Sequence, residues 1–368
     1  MSDAAFQPLV SIVIPSFNQA RYVGEAIQSA LRQTWPNTEI IVADDCSPDN
    51  SWEIIRRAPG SVVKIRREKN LGFAANANDL FQRAKGDYIC LLCSDDVLEP
   101  NFVESAMVLF SERTDLGYVQ VHYQPIDENG RPMTPVPAFY SDAGIIPGME
   151  ETRISLLGCH TMLSHHVFSA RAFREAGGFS TFSGMAYDYE LAINISSKFD
   201  TGYVPQPLVR WRYSELHQTH YNRTSMLTVF DQYRVRLQTL DRRLPKDHPI
   251  QKLRPKIIAA AAKEAMTYGR WAMDAGDYAT ARKYLGLMIA FDYHALNSPA
   301  FENTFQALSS MLKKSDAEIT HDWAEWVAQE NSEAGLNQDK QGAPYPLPPG
   351  STVVSAEKFP RAGLRATP

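Results

Sequence analysis

Four short apolar runs, each stopped abruptly by polar residues, are spaced through the first hundred residues of the chain. Leu9–Ile14 stops at Pro15-Ser-Phe-Asn18, and Glu39–Ala43 at Asp44-Asp45. Val62–Ile65 leads to Asn70-Leu-Gly72, and Tyr88–Cys93 to Ser94-Asp95-Asp96. Between the runs, Arg21–Thr34 sets Val23, Ala26, Ile27, Ala30 and Leu31 at helical spacing. Ser51–Arg57 reads as a short helix and Phe73–Ala84 as a longer one. Runs of four to six apolar residues suit strands buried on both faces, and strand–helix alternation builds a parallel sheet with helices on both sides. Ligands of such sheets bind at the carboxyl ends of the strands. The polar residues that stop the four runs are therefore expected to converge on one edge.

The remaining chain predicts a second region. At 368 residues, the sequence exceeds one core and implies two domains and a tail. A strand near Tyr118–His122 precedes turn-rich chain to Pro147. Val167–Ala170 then leads into Gly177-Gly178-Phe179, Tyr187–Lys198 reads as a helix with Asp188 in its first turn, and Tyr203–Tyr213 as a strand. After Ser225 only helical patterns occur. Ile257–Met273 and Tyr278–Phe291 flank Asp274-Ala-Gly-Asp277, a single hairpin that is too little for a repeat array. A small helical bundle packed on the first domain is expected. Beyond Asn331 the Gly-, Pro-, Ser- and Gln-rich composition predicts disorder. The expected boundaries are thus 1–222, 223–330 and 331–368.

A formal net charge of -5 gives no reason to expect a nucleic-acid partner. Four cysteines, no leader pattern and no apolar run of about 18 residues imply a reducing, cytoplasmic setting. Peripheral contact with the inner face of the plasma membrane, and a homodimer, stay open. Cys90 and Cys93 form a C-x-x-C inside an apparent strand, where they would face opposite sides. They are read as core packing.

The ordered set Val10-Ser-Ile-Val-Ile-Pro-Ser-Phe-Asn18, Val42-Ala-Asp-Asp-Cys-Ser-Pro-Asp49, Asn70-Leu-Gly72, Gly86-Asp-Tyr-Ile-Cys-Leu-Leu-Cys-Ser-Asp-Asp96, Gly177-Gly-Phe179 and Ala186-Tyr-Asp-Tyr-Glu-Leu191 closely resembles family 2 glycosyltransferases over about residues 8 to 215. The resemblance implies a GT-A fold: a Rossmann-like α/β sheet, here followed by the helical region and tail. It also implies an inverting, hexosyltransferase-type enzyme. Such an enzyme would move a sugar from a nucleotide-diphosphate donor, expected to be UDP-linked, to a hydroxyl of a surface glycan or lipid-linked acceptor.

Roles follow position by position. Asp45 matches the family residue that binds the nucleotide base; Asp44 either joins it or braces the loop. Pro15, Ser16 and Phe17 would line the nucleotide, with Asn18 fixing the turn or capping the next helix. Asn70, Gly72, Asn78 and Ser94 complete the nucleotide-sugar set. Asp95 matches the last carboxylate of the family's Asp-x-Asp, a ligand for Mn²⁺ or Mg²⁺. Cys93 replaces the first Asp, and a thiol suits a hard cation poorly, so Asp96 and waters would complete the shell.

Asp188 matches the Asp of an acidic dipeptide and is the expected base for the acceptor hydroxyl; favouring the helix dipole is its alternative role. Tyr187 stands where the family carries Glu. Ala77 stands where an Arg is common, which passes any phosphate contact to Arg210 or Arg212. These lie in Val209-Arg-Trp-Arg-Tyr213, where relatives place a Tyr-Arg-x-His, so that His217 would stand in for that His and reach the metal or diphosphate, or else be a solvated loop histidine. The Gly177-Gly178 pair is expected to let backbone approach the donor sugar. Trp211 would stack on the acceptor or cap the core. His160, His165 and His166 would line the acceptor cleft, without a zinc-binding spacing.

Two other readings remain. The losses at Cys93, Tyr187 and Ala77 suit a catalytically silent nucleotide-sugar-binding scaffold. A nucleotidyltransferase would want a basic, Gly-rich phosphate loop after strand one, which Pro15-Ser-Phe-Asn18 lacks.

Overall fold

In the computed structural model, residues 6–158, 160–182, 184–213, 225–292, 309–334 and 343–360 are described. The four apolar runs are strands β1 (Val10–Ser16), β2 (Thr38–Asp44), β3 (Val62–Arg66) and β4 (Tyr88–Leu91). β2 pairs with β1 and β3, and β1 with β4, all in parallel. Ser16 lies opposite Asp44, so β1 and β2 end level and their polar termini share one edge.

Period-two alternation sorts this sheet into two cores. Val10, Ile12 and Ile14 of β1, with Ile40 and Val42 of β2, pack against α1 (Val23–Leu31), α2 (Ser51–Ile55) and α4 (Phe102–Glu112). Val13, Ile41, Ala43, Ile89 and Leu91 face the other way. They meet α3 (Phe73–Arg83), α6 (Ala170–Ala176) and α7 (Tyr187–Ser196).

Beyond β4 the sheet becomes mixed. β8 (His166–Ser169) is antiparallel to β4 and to β6 (Tyr118–Ile126). β6 runs parallel to the long β9 (Thr201–Arg212), which also takes the short β5 (Val97–Leu98) and the antiparallel β7 (Gly144–Ile146). α5 (Gly148–Leu157) follows β7.

The helical region packs on this domain as expected. It comprises α8 (Leu227–Gln238), α9 (Arg254–Asp274), α10 (Tyr278–Phe291) and α11 (Asp316–Ala334). Leu156 of α5, Tyr189 and Ile193 of α7, Val235 of α8 and Ile257 of α9 share one buried cluster. The α9–α10 turn uses Gly276 at φ +71° and Asp277, whose side chain accepts from the Thr280 amide to cap α10. No helix among the described residues is long and apolar enough to cross a membrane.

The expectation of disorder beyond Asn331 is overturned over 343–360. Thr352-Val353 forms β10, antiparallel to β7 at the sheet edge. Val354 and Phe359 then bury their side chains in the core beneath. A strand added by backbone hydrogen bonds needs only two anchoring apolar residues, so a Gly- and Pro-rich composition conceals it.

Candidate active site

The strand ends do converge, and their backbones are tied together. Asn18 takes a left-handed φ of +56°, a region that Asn tolerates well. Its amide donates to Ser47 Oγ (2.9 Å), while the Gln19 and Ala20 amides donate to Ser51 Oγ and Asp49 Oδ2 (2.9 Å each). The loop after β2 thereby moulds the loop after β1. Asp45, 2% exposed, accepts from the amides of Leu71 and Gly72 through separate oxygens (2.9 Å each). Asn70 Oδ1 also accepts from the Gly72 amide (2.8 Å), and Gly72 sits at φ +82°. Pro15, Ser16, Phe17, Asn18, Asp45, Asn70 and Gly72 line one cleft of about 740 Å³.

Two expected nucleotide ligands lie outside that cleft. Asp44 is fully buried and accepts from the Ser47 amide (3.2 Å), so it braces the loop. Asn78 clamps Phe179 instead, donating to its carbonyl (2.8 Å) and accepting from its amide (2.9 Å). This clamp also corrects the reading of the glycine pair. Gly178 (φ +72°) is needed because a Cβ there would meet Asn78 Oδ1 at 2.8 Å, and neither glycine lines the cleft. Asn76 reaches the cleft in place of Asn78. It donates to the Ala43 carbonyl (3.3 Å) and accepts from Arg67 Nε (3.1 Å).

Cys93, Ser94, Asp95 and Asp96 form the next stretch of wall. β4 ends at Leu91, so Cys93 lies past the strand, where it lines the cleft and still packs against the core, whereas Cys90 is wholly core. Cys93 Sγ and one oxygen each of Asp95 and Asp96 lie within 4.8 Å of one another. Burial first, then the charges of Asp96 and Asp95, push the thiol pKa well up. Two carboxylates beside a neutral thiol suit a hard divalent cation bound through oxygen. Asp96 is firmly set, accepting from Ser164 Oγ (2.6 Å) and from the Arg212 amide (2.9 Å).

Neither arginine proposed for phosphate lines the cleft. Arg212 is 1% exposed, donating to Glu25 (2.7 Å) and to the Asp95 carbonyl (2.8 Å) with its guanidinium over Tyr22. Arg210 pairs with Glu99 (3.0 Å). His217 lies outside the described residues.

Asp188 opens α7 at the same cleft, its Oδ1 accepting from the Tyr189 amide (2.8 Å). Burial raises its pKa to about 6. Tyr187 fills the neighbouring position by stacking on Phe73 (4.8 Å between ring centroids). The three histidines do not line this cleft, although Thr161 to Ser164 between them do. His160 pairs with the buried Glu151 (2.7 Å) and stacks on Phe139, and burial drives the pKa of His165 and His166 down. Trp211 lines the cleft, edge-on to Tyr123.

The far wall comes from the helical region: Thr228 and Gln232 of α8, and Tyr268 and Trp271 of α9. α8 also holds the loop before Asp188, since Asp231 Oδ2 accepts from the Met185 amide (2.7 Å). Sequence reasoning missed these residues, because no motif marks a helix that reaches back over a sheet edge.

Comparison with known proteins agrees with this construction. The family profile "Glycosyl transferase family 2" matches residues 11–174. Chondroitin synthase of Pasteurella multocida (strain Pm70) is 32% identical over 193 residues, which is 51% of this chain and 19% of that protein. The chain thus spans about a fifth of that relative's length. S. aureus TarS 1-349, solved in complex with UDP-GlcNAc, superposes with a TM-score of 0.57 at 14% identity, covering 85% of this chain and 89% of that one. Mannosyltransferase PcManGT from Pyrobaculum calidifontis, solved with GDP-Man and Mn²⁺, does so with a TM-score of 0.54 at 16% identity, covering 92% and 89%. At these identities the structural likeness is one of fold. The fold is that of the GT-A type, with the cleft at the carboxyl edge of its sheet. Residues 11–174 match the model of glycosyl transferase family 2.

Proposed function

We propose that this chain is an inverting glycosyltransferase that moves a hexose from a UDP-linked donor to a hydroxyl of a surface glycan or lipid-linked acceptor. The observation that carries the reading is one cleft holding both an Asp95–Asp96 pair and a separate, enclosed carboxylate, Asp188, whose pKa is raised to about 6. A base of that pKa is largely ionised near neutrality yet basic enough to take a proton.

Asp188 takes the proton of the acceptor hydroxyl as its oxygen bonds to the anomeric carbon, and the bond from that carbon to the diphosphate oxygen breaks. Asp95 and Asp96 would hold Mn²⁺ or Mg²⁺, which when bound supplies positive charge to the departing diphosphate. Asp45 keeps lone pairs beyond those given to Leu71 and Gly72, and these suit a base N–H. Ser16 Oγ is buried at the cleft without a hydrogen-bond partner among the described residues, which fits a group that a ligand completes. A nucleotide-sugar donor places the reaction in the cytoplasm, with a lipid-linked acceptor at the inner membrane face.

Calorimetric titration of UDP, with GDP and dTDP as controls and with or without Mn²⁺, tests this. Tight UDP binding that needs Mn²⁺ and is lost in Asp95→Ala is the expected result. No nucleotide binding under either condition would replace the enzyme with a silent scaffold.

A further inference from the structure

The helical wall of the cleft differs in chemistry from the strand-end wall. Tyr268 and Trp271 are three residues apart on α9 and so project from one side of the helix. Their rings meet edge to face at 4.9 Å, and Tyr268 is backed by Tyr284 at 5.5 Å. Trp271 nevertheless stays 44% exposed. Rings held firmly in place with open surface on a cleft make a flat platform of low entropic cost to a ligand.

Polar groups border that platform. Thr228 Oγ1 is buried without a hydrogen-bond partner among the described residues. Gln232 gives its amide nitrogen to Glu264 (2.7 Å), which fixes its carbonyl oxygen as an acceptor. Rings interleaved with hydroxyl and amide groups match a pyranose, whose C–H face stacks while its rim of hydroxyls needs partners. A purely apolar tail would leave Thr228 Oγ1 unpaired.

Resting on the glycosyltransferase reading, we infer that the α8–α9 wall is an acceptor subsite that stacks a pyranose unit of an oligosaccharide chain on Trp271 and Tyr268. The helical region then selects a glycan acceptor, while the sheet edge binds the nucleotide.

The test titrates full-length protein with chitohexaose, cellohexaose and isomaltohexaose by calorimetry, in wild type, Trp271→Ala and Trp271→Phe, with UDP–Mn²⁺ binding measured in each. At least one hexasaccharide should bind, about tenfold more weakly to Trp271→Ala and near wild type to Trp271→Phe, with unchanged UDP affinity. Absence of binding by all three sugars, or equal binding to Trp271→Ala, overturns the subsite. Loss of UDP binding in wild type would instead refute the donor reading, a separate result.

Discussion

The two walls of the cleft are built on opposite plans. On the sheet side, polar residues end buried strands and are fixed by hydrogen bonds, Asp45 by the amides of Leu71 and Gly72, and Asp96 by the Arg212 amide and the Ser164 hydroxyl. On the helical side, the groups are aromatic and amide side chains on the surface of α8 and α9, packed onto the domain through one apolar cluster. The first plan gives fixed charges and donors, suited to a ligand part that does not vary, such as a nucleotide diphosphate. The second gives a surface whose side chains can change without disturbing the sheet. Asp188 stands where the plans meet: on a helix of the sheet domain, with its preceding loop held by Asp231 of α8.

The largest effect should come at that junction. Asp188→Asn keeps the Oδ1 that accepts from the Tyr189 amide but removes the base, and transfer should fall by about 10³-fold. UDP binding should persist. The activity of the unaltered protein should rise with pH through a midpoint near 6 as Asp188 ionises.

The same variant should be more stable. A carboxyl whose pKa is raised by folding favours the fold while protonated, and that contribution is lost as pH rises through about 6. Asn removes the penalty, so metal-free Asp188→Asn should melt about 2–4 °C higher than wild type at pH 7.5. The difference should vanish near pH 4. Lost transfer with a lowered melting temperature would mean Asp188 only supports α7.

Asp95→Ala should rank next and act on the other wall, cutting transfer by about 10²-fold and abolishing the Mn²⁺ dependence of UDP binding. Asp45→Asn should weaken UDP by about tenfold, since it forfeits a charge-assisted acceptor and disturbs the Asn70–Gly72 loop. Melting temperature and hexasaccharide affinity should distinguish a local loss from a collapsed site. A sugar affinity that falls with the nucleotide's would show that the walls are not independent.

Legibility follows the same division. Strand ends could be read because burial on both faces demands an unbroken apolar run, and a charged residue must stop it. Asp45, Asp95 and Asp188, read that way or by motif, come together in the cleft. Position within α3 was also recoverable. Phe73, Asn76, Ala77 and Leu80 form one helical stripe, which selects Asn76 for the cleft and excludes Asn78. α5 escaped notice because it buries polar groups: Glu151 is met by Tyr140 and His160, partners that lie outside the helix. Cys93 was legible only in part: a strand end two residues earlier leaves it against the core but also opens it to the cleft. The tail and the α8–α9 wall depend on tertiary docking, and no local pattern encodes what a helix or strand will lie against.

The smallest effect tests the link between the walls. Asp231→Ala leaves the Met185 amide without this acceptor and removes one of the carboxylates that Arg234 pairs with among the described residues. The second partner, Glu190, remains on α7 and is also bound by Arg243, so the helix itself should stay in place. Only the loop that delivers Asp188 loosens. A base displaced by a fraction of an ångström loses part of its advantage, so kcat should fall by about three- to tenfold. UDP affinity should not change, because the hydrogen bonds described above for Asp45 and Asp96 come from outside α8. The midpoint near pH 6 should move toward the ordinary carboxylate range as the loosened loop admits water around Asp188. A fall in kcat with an unmoved midpoint would mean that α8 shapes acceptor access alone, and a fall in UDP affinity would mean that the helical layer supports the nucleotide wall as well.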